Sequence, residues 1–295
     1  MAATAPDARL PLAGADADAP ELREVAGPTA LGGSLRRFAF LTWTIAVTEF
    51  KLRFYGSVLG YFWQLMRPLL VFATLFVVFT EIVKIGGRVR FYEVILLMNI
   101  VLFTFFGEGA SAVTSVVDRE QLVRKIQVPR LAIPLSVTLT AAFNVGLNLL
   151  VVLTFAVIAG ADVTWRWIEI PFLLAMLGTF AAGFAMLVSA LYVRYRDVKP
   201  IWDVFTQMLF YATPVIYVLE TLDIPDSVKE AMALNPLAAV LIQMRHAAID
   251  PTAPSAADAV GGWMYLSIPI GITLFLLVLG YWTFNREAPR IAEEL

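Results

Sequence analysis

Four polar side chains recur at every fourth position in an otherwise apolar stretch: Ser136, Thr140, Asn144 and Asn148. That spacing puts them on one face of a helix. Hydroxyls and amides in hydrocarbon turn inward, where they either line a polar path or bond to a neighbouring helix. One carboxylate, Glu108, stands between Gly107 and Gly109 in a second apolar stretch. A charge at mid-bilayer costs roughly 2.5–3.5 kcal/mol on insertion scales. The flanking glycines predict a helix that breaks there and admits water or a neighbour's backbone. A functional acid and a buried structural pair both fit that reading.

Other chemistry is scarce. The chain has no cysteine, which excludes disulfides, thiolate zinc sites and cysteine nucleophiles. Its one histidine, His246, excludes a multi-histidine metal site and reads as a plain surface side chain. No pair of acids with metal-ligand spacing faces one side of any apolar stretch, against the needs of metal-assisted transfer chemistry. No G-x-x-x-x-G-K-[ST] phosphate loop is present, so the chain is not equipped to bind ATP in the usual way.

The elements that position these residues are dictated by composition. Of 295 residues, 59% are hydrophobic and 16% charged, with a mean hydropathy of +0.76. Soluble domains run to about 45–50% and about 25%. The excess predicts an all-α integral membrane protein. A spanning helix needs about 20 apolar residues, and six candidates occur: 63–83, 92–117, 131–159, 168–193, 201–219 and 262–284. Trp263 and Tyr265 at one end of the last, with Tyr281 and Trp282 at the other, fit two interfacial belts. Ala175, Thr179 and Gly183 form a small-residue stripe suited to close helix packing. The net charge of −2 gives no reason to expect nucleic acid.

The connections alternate in charge. One set holds fourteen Lys and Arg residues, from Arg36 to Arg290; the other holds six, among them Lys84, Arg166 and Arg245. The positive-inside rule puts the first set, with both termini, in the cytoplasm. Residues 1–34 are rich in Ala, Asp, Pro and Gly, carry no aromatic residue and read as a disordered cytoplasmic tail; neither the basic start nor the apolar core of a signal peptide is present. Residues 35–295 form the membrane domain.

Before the first span, Trp43, Val47, Phe50 and Phe54 share one face of a helix over about 36–57, while Glu49 and Arg53 pair at i,i+4 on another. This predicts a helix lying in the interface; an extension of the first span is the alternative. Between spans two and three, Asp118 opens a short helix over about 118–128 in which Glu120 pairs with Arg124, and Leu122 and Ile126 form an apolar ridge beside Lys125. Docking into a groove on a partner protein and anchoring at anionic lipid both suit it. Arg194, Arg196 and Asp197 predict a local ion pair in the tight turn before span five. Outside, residues 220–250 hold two helical patterns too short to span. Asp226 or Ser227 caps the first, and Pro236 opens the second, whose ridge is Leu237, Val240, Leu241 and Met244.

Four ordered stretches resemble the permease subunit of ABC-2 type exporters for polysaccharides and polyol phosphates, which include Wzm-like O-antigen and galactan exporters and TarG-like teichoic acid exporters. They are KLRFYGSVLGYFWQLMRP (51–68), QLVRKIQVPRLAIPL (121–135), LYVRYRDVKPIWDVFTQMLFYATPVIY (191–217) and NPLAAVLIQMR (235–245). The resemblance runs from about residue 36 to 284. It implies a six-span permease of the cytoplasmic membrane, dimeric with a second copy of itself. A lipid-linked glycan would be driven outward by separate ATPase subunits that hold ATP and Mg, with no cofactor on this chain. It implies that the 118–128 helix is the coupling helix and the 36–57 helix a second contact, and that outer gate helices lie at about 220–250, with Asn235, Pro236 and Leu241 in them. It also implies an aromatic-lined channel. Tyr and Trp stack on sugar rings and hydrogen-bond at their edges, so Tyr55, Tyr61, Trp63, Trp202, Phe205 and Tyr211 are its candidates; packing against lipid or other helices is the competing reading for each.

Two other classes compete. A secondary transporter would show inverted repeats and charged mid-membrane sites, and no convincing repeat relates the two halves. A membrane-embedded lipid or glycosyl transferase would show clustered acids.

Overall fold

The computed structural model describes residues 34–54, 60–84, 89–118 and 129–294. The tail, Tyr55, and the segment holding Glu120, Leu122, Arg124, Lys125 and Ile126 lie outside the described residues. All regular structure among the described residues is helical. The longer elements are α1 (Leu35–Phe54), α2 (Gly60–Val77, extended by a π-helical turn Val78–Ile82) and α3 (Tyr92–Ala110). The short α4 (Ser115–Asp118) precedes α5 (Ala132–Ile158), α6 (Glu169–Arg194) and α7 (Val198–Ala212). Three short outer helices follow, α8 (Asp226–Ala233), α9 (Pro236–Ala248) and α10 (Ala256–Ala259), and α11 (Ser267–Glu294) ends the chain.

Five helices among the described residues are long and apolar enough to cross a membrane: 62–82, 92–110, 132–158, 165–194 and 267–287. They match five of the six expected spans. The expected fifth, 201–219, is not one helix. α7 stops at Ala212 after 15 residues, short of the length that crosses a bilayer alone. Pro214 is the reason: it disfavours the helical conformation at Thr213, whose backbone is extended. The second span also ends early. α3 closes at Ala110, where Ser111 N–H bonds the Glu108 carbonyl at 3.3 Å, and the chain turns before α4. At the other end of the chain, α11 runs well past the expected limit at Phe284.

α3 is the hub. It packs on α2, α5, α6 and α9, and 72% of its spanning window is buried, against 6% for α2. α6 and α11 form the most extensive pair, and glycine makes it close. A Cβ on Gly183 would lie 2.9 Å from the backbone of α11 at Leu276 and Leu277, and one on Gly280 would run into the Gly183 carbonyl. Of the small-residue stripe only Gly183 makes this approach; Ala175 is exposed.

α1 does not rest on lipid alone. Trp43 and Phe50 meet Phe143 of α5 edge-on at 5.2 and 5.6 Å, and Thr140 Oγ1 donates to the Ala46 carbonyl at 3.3 Å. In the outer segment the ridge of α9 is confirmed: Leu237, Val240, Leu241 and Met244 are all buried, against α6 and α3. α8 differs from expectation, since Pro225 holds the N-cap position and no side chain caps it; Asp226 pairs with Lys229 at 3.3 Å instead. The turn before α7 also differs: the Arg194 and Arg196 guanidiniums lie over the Tyr195 and Tyr192 rings at 5.2 and 4.9 Å, and Lys199 bonds Asp203 at 3.0 Å.

Candidate functional site

Three helices converge on Glu108. Its carboxylate, in the last turn of α3, accepts from Asn144 Nδ2 of α5 at 2.9 Å and meets Arg53 Nη1 of α1 at 3.4 Å. A carboxylate in the last turn of a helix opposes the negative end of its dipole; the guanidinium and the amide offset that. Half-exposure of Arg53 keeps the pair to about 1 kcal/mol or less. The expected break lies just beyond the glycines: α3 runs through Gly107 and Gly109 and stops at Ala110, which leaves Glu108 in its last turn. Gly109 serves packing instead. Its added Cβ would stand 3.3 Å from Ala181 of α6, and its carbonyl accepts from Thr138 Oγ1 at 2.8 Å. Beside the pair lies a polar cavity of about 360 Å³, lined by Glu49, Arg53, Gln64, Arg67 and Thr140 among others.

The polar face of α5 is spent on bonds. Ser136 Oγ donates to the Ile133 carbonyl, Thr140 to Ser136 and Ala46, and Asn148 Nδ2 to the Asn144 carbonyl, all while buried. Most of these bonds fold back on α5 itself; Thr140 to Ala46 and Asn144 to Glu108 are the ones that cross to another helix. Arg53 reaches across to α3 as well, a contact that the i,i+4 spacing with Glu49 did not reveal.

The aromatic candidates separate into two kinds. Trp202 is 6% exposed, with Phe184 and Phe205 at 5.2 and 5.4 Å; it belongs to a chain of rings that runs through Phe180 to Phe106. Phe205 and Tyr211 are 38% and 59% exposed, although Phe205 still packs on Phe184 at 5.7 Å. Trp63 is exposed on α2, edge-on to Phe62, and Tyr61 stands in the first turn of the same helix.

The outer segment is fixed by polar side chains. Asn235 caps α9: its Oδ1 accepts from Leu237 N–H at 3.1 Å while its Nδ2 donates to Thr213 Oγ1 at 3.1 Å. Pro236 fills the first helical position, where its missing N–H costs nothing, and Leu241 is buried. His246 is no plain surface residue. It is half-buried, contacts Arg166, and its Nδ1 lies 2.7 Å from the Ala253 carbonyl.

Two functional positions escaped the sequence reading. Asn99 Nδ2 donates to the Pro214 and Val215 carbonyls at 3.0 and 3.3 Å, and Tyr92 Oη to the Ile216 carbonyl at 2.7 Å. These side chains satisfy the backbone where α7 ends. The signal was there: Asn99 is a lone amide in an apolar run, and such a residue requires a partner.

This helical architecture has known relatives. The ABC-2 type transporter family matches residues 41–248. An O-antigen export system permease protein RfbA of Myxococcus xanthus is 30% identical over 209 residues, covering 70% of this chain and 79% of the relative. A Klebsiella pneumoniae protein of the same name is 25% identical over 250 residues, 84% of this chain and 92% of its own. A chain with several long apolar helices and a family match over most of its length is a membrane permease, and it belongs to the ABC-2 type transporter family.

Proposed function

We propose that this chain is the transmembrane half of an ATP-driven exporter that moves a lipid-linked polysaccharide outward across the cytoplasmic membrane. The likeness to O-antigen export permeases over 84% of the chain carries this reading. ATP and Mg belong to a separate ATPase subunit, and a second copy of the chain completes the pathway. In this arrangement α1 lies at the cytoplasmic interface and both termini are cytoplasmic. α7 with the extended residues after it makes the fifth of six crossings, the rest of its depth being covered by Asn99 and Tyr92. The second copy meets the exposed faces of α2 and α7, which carry aromatic rings. Phe205, Tyr211 and Trp63 present rings on those faces and form the channel wall with Tyr55 and Tyr61; Trp202 backs Phe205 from within. The Arg53–Glu108–Asn144 cluster ties α1 to α3 and α5, so that a push on α1 from the ATPase reaches the bundle. The 118–128 helix is the main docking element, with Glu120, Leu122, Arg124, Lys125 and Ile126, and Glu49 and Arg53 form the second. α9, capped by Asn235, belongs to the outer gate.

Affinity purification in mild detergent tests this directly. The wild-type chain brings down a stoichiometric partner with a phosphate loop. The Leu122→Asp/Ile126→Asp double variant loses it while the permease keeps its melting temperature. Transport that follows an ion gradient without any ATPase would overturn the reading.

A further inference from the structure

The polar cavity beside Glu108 sits at one end of the membrane spans. Gln64 and Arg67 line it from the first turns of the spanning stretch 62–82, and Glu108 and Ser111 from the end of 92–110. α1 adds Glu49 and Arg53. Helices of this length start and stop about where hydrocarbon gives way to lipid headgroups, whichever way the chain faces. The cavity measures about 360 Å³, within the range of about 300–1,000 Å³ typical of small-molecule sites.

Three groups on its wall have bonding capacity left, and all three can be reached. Arg67 is exposed and makes no hydrogen bond or ion pair among the described residues. Gln64 is half-buried, and its amide is unpartnered among the same residues. Glu108 takes both of its side-chain bonds, from Asn144 and Arg53, on Oε2. Its Oε1 takes none among the described residues and is not sealed in; the side chain is 24% exposed.

The charges narrow the ligand. Arg53 and Arg67 balance Glu49 and Glu108. An anion alone would meet two carboxylates, and a cation alone two guanidiniums. A phosphate with an ammonium a few atoms away suits both signs. The phosphate accepts from the Arg67 guanidinium, a charge-assisted bond, and from the Gln64 amide. The ammonium donates to Glu108 Oε1. A trimethylammonium has no N–H to give, so choline fits less well than ethanolamine. Such a headgroup on two acyl chains is what the surroundings supply at this depth, and the chains have apolar surface to lie on along α2, whose spanning stretch is 6% buried.

We infer that this cavity holds the headgroup of a phosphatidylethanolamine, a resident lipid wedged between α1 and α2. The inference stands on the position of the spans and not on the export reading.

The test uses the full chain in mild detergent and native mass spectrometry with equimolar phosphatidylethanolamine, phosphatidylcholine and phosphatidylglycerol of identical tails. Phosphatidylethanolamine should be retained at least fivefold over either of the others. Arg67→Gln removes the guanidinium and should cut that retention about tenfold, the worth of one charge-assisted hydrogen bond. Its melting temperature should not change, because Arg67 bonds nothing else among the described residues. Gln64→Glu is the second variant; it sets a carboxylate against the phosphate and should act in the same direction. Equal retention of the three lipids, or undiminished retention of phosphatidylethanolamine by either folded variant, overturns the site. Free phosphoethanolamine, added to the chain in phosphatidylcholine nanodiscs, separates a lipid from a soluble ligand. It should bind far more weakly than the lipid, and equal affinity would overturn the lipid as occupant.

Discussion

α6 and α2 are both long apolar helices, yet one is gripped and the other bare. α6 presses glycine to glycine against α11 and carries Phe180 and Phe184 into the ring cluster of the core. α2 has 6% of its spanning window buried. Hydrocarbon is as apolar as leucine, so apolar character alone does not pull membrane helices together; close packing and polar bonds do. The difference teaches where this molecule is finished and where it is open. The α6–α11 contact is made within one chain, although the far face of α11 is exposed and its spanning stretch is 22% buried. Trp63 of α2 and Tyr211 of α7, by contrast, keep more than half of their surface exposed.

Substitutions can break that contrast. The largest effect is expected at Gly280. Leucine there must force α11 off the Gly183 carbonyl, at a cost upwards of about 3 kcal/mol. Size-exclusion chromatography should show loss of the folded peak, and a normal peak would mean that the two helices are not in contact. Next comes Trp202→Ala, which empties a buried ring site and should cost about 3 kcal/mol, read as a fall in melting temperature. Glu108→Leu should cost about 1 kcal/mol, or roughly 2–4 °C, because Arg53 and Asn144 lose their acceptor. Glu108→Gln, which keeps an acceptor for Asn144, should recover part of that. A larger loss for Gln than for Leu would remove the ion pair as the cause. The smallest stability effect belongs to the open side: Tyr211→Ala should stay within about 0.5 kcal/mol while lowering export severalfold. Equal damage to folding from Tyr211→Ala and Trp202→Ala would erase the distinction between covered and bare faces.

Much of this was legible in residue order. Uniform apolar runs of sufficient length announce helices that cross a membrane, and five did so. Three of them match within a few residues at both ends, while 92–117 stops early at Ala110 and 262–284 starts and ends late. The ridge of α9 was readable because Leu237, Val240, Leu241 and Met244 stand out against polar neighbours. Pro236 alone announced a helix start. The burial of each face was not readable. In a membrane chain lipid and core select the same residues, so Trp202 and Tyr211 look alike in sequence and differ only in what surrounds them. The stop at Ala212 was hidden for a related reason: Val215, Ile216, Val218 and Leu219 continue the apolar run through Pro214, and hydropathy carries no record of backbone direction. The Arg53–Glu108 contact, fifty-five positions apart, was beyond any local pattern, and the nearer pair with Glu49 masked it.

The bonds from Asn99 and Tyr92 to the end of α7 carry a consequence for how the chain is made. They join partners 115 to 124 residues apart. α3 leaves the ribosome with this amide and phenol unmet, and the carbonyls of Pro214, Val215 and Ile216 do not exist until α4 to α7 have been synthesised. Contacts so distant in sequence close late. The end of α7 is thus the last piece of the first seven helices to settle, and an assembly fault there should strand a protein whose earlier helices are already packed.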